Sequence, residues 1–200
     1  MKTKPVDRRV RRTLAQLQSA LRELILERGY DRITVREVIH RADVGRSTFY
    51  THFTDKDALL LAGLESLHSE LGLADGKPAP TLADRAPLGF SKAVFEHAGT
   101  HRRLYQAFLG RKSAALLRRY FRKTLIAWTE EDAQRWPVRT RAKIPRAAMI
   151  AFSADALMSM LSYWLEQAPT MTALEAEGAF RALVLSGLEG AGIGRIRPGS

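Results

Sequence analysis

Residues 34–53, TVREVIHRADVGRSTFYTHF, constrain the fold of this chain more than any other stretch. Thr34 followed three residues later by Glu37 is a capping box, in which two otherwise unpaired backbone N–H groups at a helix start are satisfied together. Val35, Val38, Ile39 and Ala42 then supply a buried side at helical spacing, and Asp43-Val44-Gly45 interrupts it as a tight turn. A second short helix is expected from Arg46 to about Phe53, with Phe49 and Phe53, four residues apart, facing inward. Thr54 and Asp57 give a cap signal for the helix that follows.

The rest of the chain extends the same pattern. Leu14, Leu17, Leu21, Leu24 and Ile25 recur at helical spacing and stop at Gly29, a residue suited to the position just past a helix end. A long helix is expected to follow the Thr54 and Asp57 cap signal and run to about Leu73, after which Ala74-Asp-Gly-Lys-Pro-Ala-Pro80 breaks the periodicity; a domain boundary is expected within or just before it. Five further helical patterns cover roughly 86–98, 101–110, 112–136, 145–167 and 172–188. No convincing run alternates as a strand does. The fold class is therefore all-α. The expected division is a helix-turn-helix domain over 1–60, its fourth helix running on to about 73, a helical domain over 61–190, and a loose Gly-rich tail over 191–200.

Charge and composition narrow the function. The formal net charge is +11, from 32 basic and 21 acidic residues, which suits a polyanionic partner. There is no cysteine, so disulfides and thiolate metal sites are excluded and a reducing, cytoplasmic setting is expected. The first residues lack the apolar core of a signal peptide. Ala147–Leu165 is long and apolar enough to raise a membrane span, but Asp155 sits at its middle, and a buried helix of a soluble protein is the expectation, with no membrane partner. No zinc-protease HExxH, P-loop or dinucleotide loop occurs, and nothing links a serine to a histidine and an acid; neither catalytic residues nor a cofactor are expected.

A helix that enters a DNA groove must pack one face and present polar groups on the other. Arg46–Phe53 divides that way. Arg pairs bidentately with guanine, and a threonine methyl can meet the thymine methyl. Tyr50 and His52 can donate to phosphates. Lys56 lies in the first turn of the next helix, where the dipole disfavours a cation and a phosphate would relieve the conflict. Lys2, Lys4, Arg8, Arg9, Arg11 and Arg12 could follow the DNA backbone or enter a minor groove.

Leu21–Leu60 resembles the N-terminal domain of the TetR family of bacterial transcriptional regulators. The resemblance rests on Gly29-Tyr30, Ile33-Thr34-Val35, Ile39, Ala42, Val44, Ser47-Thr48-Phe49-Tyr50, His52-Phe53 and Asp55-Lys56-Asp57-Ala58-Leu59. The combination T-F-Y-x-H-F followed by x-D-K-x-x-L is much more specific than a generic helix-turn-helix. Two positions depart from the family pattern: Asp43 stands in place of the usual turn glycine, and Gly45 in place of the usual capping serine. The resemblance implies that Tyr50, His52 and Lys56 hold phosphates, that Arg46, Ser47, Thr48 and Thr51 face bases, and that Arg36 reaches base or backbone.

It also implies that the second half binds a small-molecule effector and pairs with a second copy through its last two helices. The expected partners are thus a double-stranded DNA operator, an unidentified small-molecule effector and a second subunit. Candidate dimer residues are Leu157, Leu161 and Trp164 with Phe180, Leu183 and Val184. Candidate pocket residues are Phe90, Phe95, Tyr105, Phe108, Tyr120 and Trp128, an aromatic set that is equally well core packing. Arg118, Arg119, Arg122 and Lys123 share one basic face. His97 and His101 have metal-ligand spacing if one helix carries both, although Gly99-Thr100 suggests a helix junction, and no metal is expected. Two rival readings are a DNA-organising protein driven by charge alone and a metal or anion sensor acting through a protein partner.

Overall fold

The computed structural model describes residues 8–70, 87–108, 112–136 and 144–193. Among these residues the regular structure is helical throughout: α1 (Arg8–Arg28), a 3-10 turn (Tyr30–Arg32), α2 (Val35–Arg41), α3 (Arg46–His52), α4 (Lys56–Glu70), α5 (Ser91–Thr100), α6 (Arg102–Phe108), α7 (Lys112–Ala133), α8 (Arg146–Gln167) and α9 (Ala173–Gly190). The expected boundary at 74–80, the loose tail beyond 193, and Lys2 and Lys4 lie outside the described residues.

Two buried clusters organise the chain. The first gathers Leu17, Leu21, Leu24 and Ile25 of α1 with Tyr30, Ile33, Val38, Phe49, Phe53 and Leu59. It is not closed by the N-terminal helices alone: Leu117 of α7 is buried in it, and Leu104, Ala107, Tyr120 and Phe121 pack against it. The second takes Phe95 and Ala98 of α5, Leu125 and Trp128 of α7, Leu157 and Trp164 of α8, and Phe180, Val184 and Leu188 of α9. Helix α7 therefore serves the first cluster with its early turns and the second with its late ones. Tyr105 of α6 packs on the second cluster while its neighbours Leu104 and Ala107 pack on the first.

Helix ends follow local chemistry. Thr34 and Glu37 form the expected capping box, and Thr172 with Glu175 forms another at the start of α9. Helix α4 is capped by Asp55, whose carboxylate accepts from Ala58 N at 2.8 Å, rather than by Thr54. The C-terminus of α8 carries no basic residue in its last turn. Arg102 of α6 supplies one instead, donating to the carbonyls of Trp164 (2.5 Å), Leu165 (3.3 Å) and Ala168 (3.4 Å), with its guanidinium 5.0 Å from the Trp164 ring centroid. Gln106 adds a bond to Leu165 O at 2.7 Å. These donors take up carbonyls that a helix end leaves unpaired and place positive charge at the negative end of its dipole.

Helix α8 meets the length and hydropathy of a membrane span. It lies against α5, α6, α7 and α9. Asp155, its central charge, accepts a bidentate pair from Arg122 of α7 at 2.7 and 3.0 Å. Arg122 thus leaves the free basic face expected for it, while Arg118, Arg119 and Lys123 remain exposed.

The expected dimer residues need correction, and the expected pocket residues can be placed. Leu157, Trp164, Phe180 and Val184 are fully buried within one subunit, so they form its own core and cannot be a surface for a second copy. Leu161 is half-buried; of the six, Leu183 alone is well exposed, at 68%. A helix that is apolar nearly all round does not reveal from its sequence which side its own fold covers. The aromatic residues proposed for a pocket divide between the two cores. Phe90 meets Trp128 edge-on, and Phe95 packs between Trp164 and Phe180. Tyr105 and Tyr120 both meet Phe121. Phe108's side chain lies outside the described residues. The His97 and His101 rings meet at a tilt of 47° with centroids 4.5 Å apart, but α5 ends between them, at Thr100. Among the described residues no group of three His, Asp or Glu side chains is placed to hold a metal.

Candidate nucleic-acid interface

Helices α2 and α3 are set by their turn. Asp43 is left-handed, with φ 51°. Its N–H donates to His40 O at 3.3 Å and the N–H of Val44 donates to Ile39 O at 3.0 Å, the paired bonds of a Schellman ending. A glycine is the easiest residue here; aspartate is among the few others that tolerate the conformation. Gly45 caps α3 with ordinary backbone angles and no side-chain bond. Phe49 is fully buried and Phe53 8% exposed, and their ring centroids are 5.8 Å apart. These two residues anchor a seven-residue helix whose own hydrogen bonds would not hold it in isolation.

The opposite face of α3 is polar and open. Arg46, Ser47, Thr48, Tyr50 and Thr51 are all exposed, and His52 is half-buried. The Thr51 hydroxyl donates back to Ser47 O at 2.9 Å, which leaves its methyl as the group free for apolar contact. The Tyr50 ring stands edge-on to Phe49 at 5.3 Å, and the Arg46 guanidinium lies 5.6 Å from its centroid. Arg36 is exposed on α2 and borders a depression shared with Arg28, His40, Arg41 and Val44. Arg8, Arg11 and Arg12 are exposed at the start of α1.

Lys56 departs from expectation. Its ammonium donates to the carbonyls of Tyr30 at 3.0 Å and Ile33 at 2.9 Å, and sits 4.3 Å from the Tyr30 ring centroid. Two carbonyls thus meet this cation at the start of α4. Two of the three ammonium donors are used, so one remains for an outside acceptor. The Tyr30 hydroxyl donates to Asp57, and burial followed by that bond pushes its pKa well above the ordinary tyrosine value. Tyr30, Lys56 and Asp57 together join the 3-10 turn to α4.

A second bracket joins α1 to α2. Arg41 makes a bidentate pair with Glu27 at 2.7 and 2.9 Å, and Arg28 reaches Glu37 at 2.9 Å. The Arg41 hydrogen bond lowers the Glu27 pKa, and the Thr34 side chain does the same for Glu37. Sequence reading missed these ties because their partners are 9–27 residues apart and no local spacing marks them. The structure brings Arg46, Ser47, Thr48, Tyr50 and Thr51 together on one open face, with Arg36 on the adjoining helix; it places Lys56 in the scaffold behind them.

Comparison with known proteins agrees with this layout. Residues 17–62 match the family described as bacterial regulatory proteins, tetR family. YxbF, an uncharacterized HTH-type transcriptional regulator of Bacillus subtilis (strain 168), is 34% identical over 71 residues, covering 35% of this chain and 19% of that protein. TcmR, an HTH-type transcriptional regulator of Streptomyces glaucescens, is 29% identical over 127 residues, covering 59% of this chain and 56% of TcmR. The chain therefore matches about a fifth of the one relative and just over half of the other. A TetR transcriptional regulator from Streptococcus agalactiae 2603V superposes with a TM-score of 0.65 at 26% identity, covering 89% of this chain and 96% of that one. The turn between α2 and α3, the open polar face held by Phe49 and Phe53, and the helical frame behind them are the features in which this chain is similar to the TetR family of bacterial regulatory proteins, whose family model matches residues 17–62.

Proposed function

We propose that the protein is a transcriptional regulator that binds a palindromic DNA operator as a homodimer and is released by a small-molecule effector. The observation that carries this reading is the face of α3: five exposed polar residues on a short helix locked from behind by two buried phenylalanines. Arg46 and Thr51 have the chemistry to read base edges, and Tyr50 and His52 the chemistry to hold phosphates. The +11 charge adds sequence-independent attraction.

A second copy would meet the outward faces of α8 and α9. Phe152 (57% exposed), Tyr163 (49%), Leu174 (70%) and Leu183 (68%) are the large apolar side chains left uncovered there. Gly178, Ala182, Ser186 and Gly187 on α9 are small and open, which allows close helix approach. Two-fold pairing would set two copies of α3 about one DNA turn apart. Release by an effector requires that the effector bind the DNA-incompetent arrangement more tightly, and a dimer that occludes transcription while bound would act as a repressor.

Selection of bound duplexes from a random pool at about 150 mM salt tests the reading. A recovered palindrome supports a sequence-specific dimer. Binding without any recovered motif would replace it with charge-driven association.

A further inference from the structure

A cavity of about 140 Å³ lies where α1, α4 and α6 meet, with His101 at the end of α5 beside it. Its floor is apolar: Leu21, Ile25, Leu59, Leu60 and Leu64 are buried, and Leu104 is half-buried. Its rim is polar: Gln18, Arg22, Ser66 and His101 are exposed or half-exposed, and among the described residues no aspartate or glutamate lines it. An apolar cavity of about 150 Å³ accommodates one benzene ring.

Two further observations bear on its purpose. Gly63 lines the cavity in mid-α4, where glycine is a poor helix former. Nothing steric requires it: an added Cβ would meet only Gln18 Cγ, at an ordinary 3.8 Å, and Gly63 does not have a positive φ. The missing side chain keeps the space open. Arg22 at the rim has no carboxylate within ion-pair distance among the described residues, and its only described bond is a long one to Ser19 Oγ at 3.4 Å.

We propose that this cavity binds a single-ring aromatic carboxylate, the ring seated on the leucines and the carboxylate at Arg22. A ring matches the volume and the apolar floor. One negative charge matches a rim that offers a guanidinium, an amide, a hydroxyl and an imidazole. A guanidinium takes a carboxylate in a bidentate manner, which fixes the ring's orientation. The site joins the DNA-contacting half of the chain to α6, and it is distinct from the aromatic residues of the second core. Its existence does not depend on the regulator reading, because occupancy is read without DNA.

Benzoate is the probe, titrated into the full-length protein and followed by amide NMR. Saturable shifts are expected at Gly63 and Leu104. Arg22→Gln should weaken benzoate by roughly tenfold. Gly63→Leu should fill the cavity and abolish the shifts while circular dichroism shows the helices intact. Toluene, which keeps the ring and lacks the charge, should bind more weakly than benzoate. Absence of saturable shifts, or shifts that persist unchanged in Gly63→Leu, would overturn the site. Equal affinity for toluene and benzoate, or an Arg22→Gln variant that binds as the parent does, would overturn the role given to Arg22.

Discussion

Lys56 shows how a residue can carry a family's binding pattern and a structural duty together. Its ammonium holds two carbonyls of the turn after α1; Tyr30 O also accepts from Ile33 N–H, so Lys56→Ala should lower stability by about 1–3 kcal/mol chiefly through the donor lost at Ile33 O. Thermal melting checks this, and a DNA-binding defect without a loss of stability would restore the phosphate role alone. Tyr50→Phe is the contrast. Its ring is half-exposed and its packing on Phe49 survives the change, so the melting temperature should hold while DNA affinity falls on every sequence equally. Arg46→Ala should leave stability within about 0.5 kcal/mol and relax base preference at one operator position, by about 1–3 kcal/mol of discrimination. Asp43 is strained in the left-handed region; Asp43→Gly should stabilise by up to about 1 kcal/mol and Asp43→Val should destabilise.

At the scale of elements, the sequence was most readable where the chemistry is local. The Thr34–Glu37 box, the αL turn at Asp43 and the inward pair Phe49 and Phe53 all follow from residues within a few positions of one another. Apolar periodicity marks all the long helices, with boundaries shifted by a few residues; α5 begins at Ser91 rather than near 86. What spacing could not show is which neighbour covers an apolar side. Leu157 and Trp164 could equally have met another helix of the same subunit or a second copy, and the fold chose the first. Nor could spacing show that Arg102 would cap a helix more than sixty residues away. Arg102→Met keeps much of the stem and removes the donors, and should cost about 1–3 kcal/mol in chemical denaturation. The two capping boxes add a pH dependence. Hydrogen bonds from Thr34 and Thr172 hold the Glu37 and Glu175 carboxyls below the ordinary glutamate value. Their contribution is complete above that value and is lost as pH falls below about 4. Melting temperatures at pH 7 and pH 3.5 should therefore differ less in the Glu37→Gln, Glu175→Gln double variant than in the parent.

At the scale of the molecule, the uncovered leucines of α9 and the polar face of α3 should respond to different perturbations. Leu183→Glu is expected to convert a dimer to a monomer in sedimentation and to weaken palindromic DNA far more than half-site DNA. Raising salt should weaken both, since phosphate contacts release counterions. A monomeric parent protein would remove the paired arrangement from the proposed mechanism. The sharing of α7 between the two cores bears on how the chain unfolds. Leu117 is buried among residues of α1 to α4, and Leu125 and Trp128, two turns or more along the same helix, are buried among α5, α8 and α9. Fraying α7 from either end therefore opens a core at that end, and pulling it away opens both. A fragment ending at residue 70 would expose the leucines that α6 and α7 now cover, and should be looser and more prone to self-association than the same residues in the whole chain. Heat should find one seam, with the two halves melting in a single calorimetric transition.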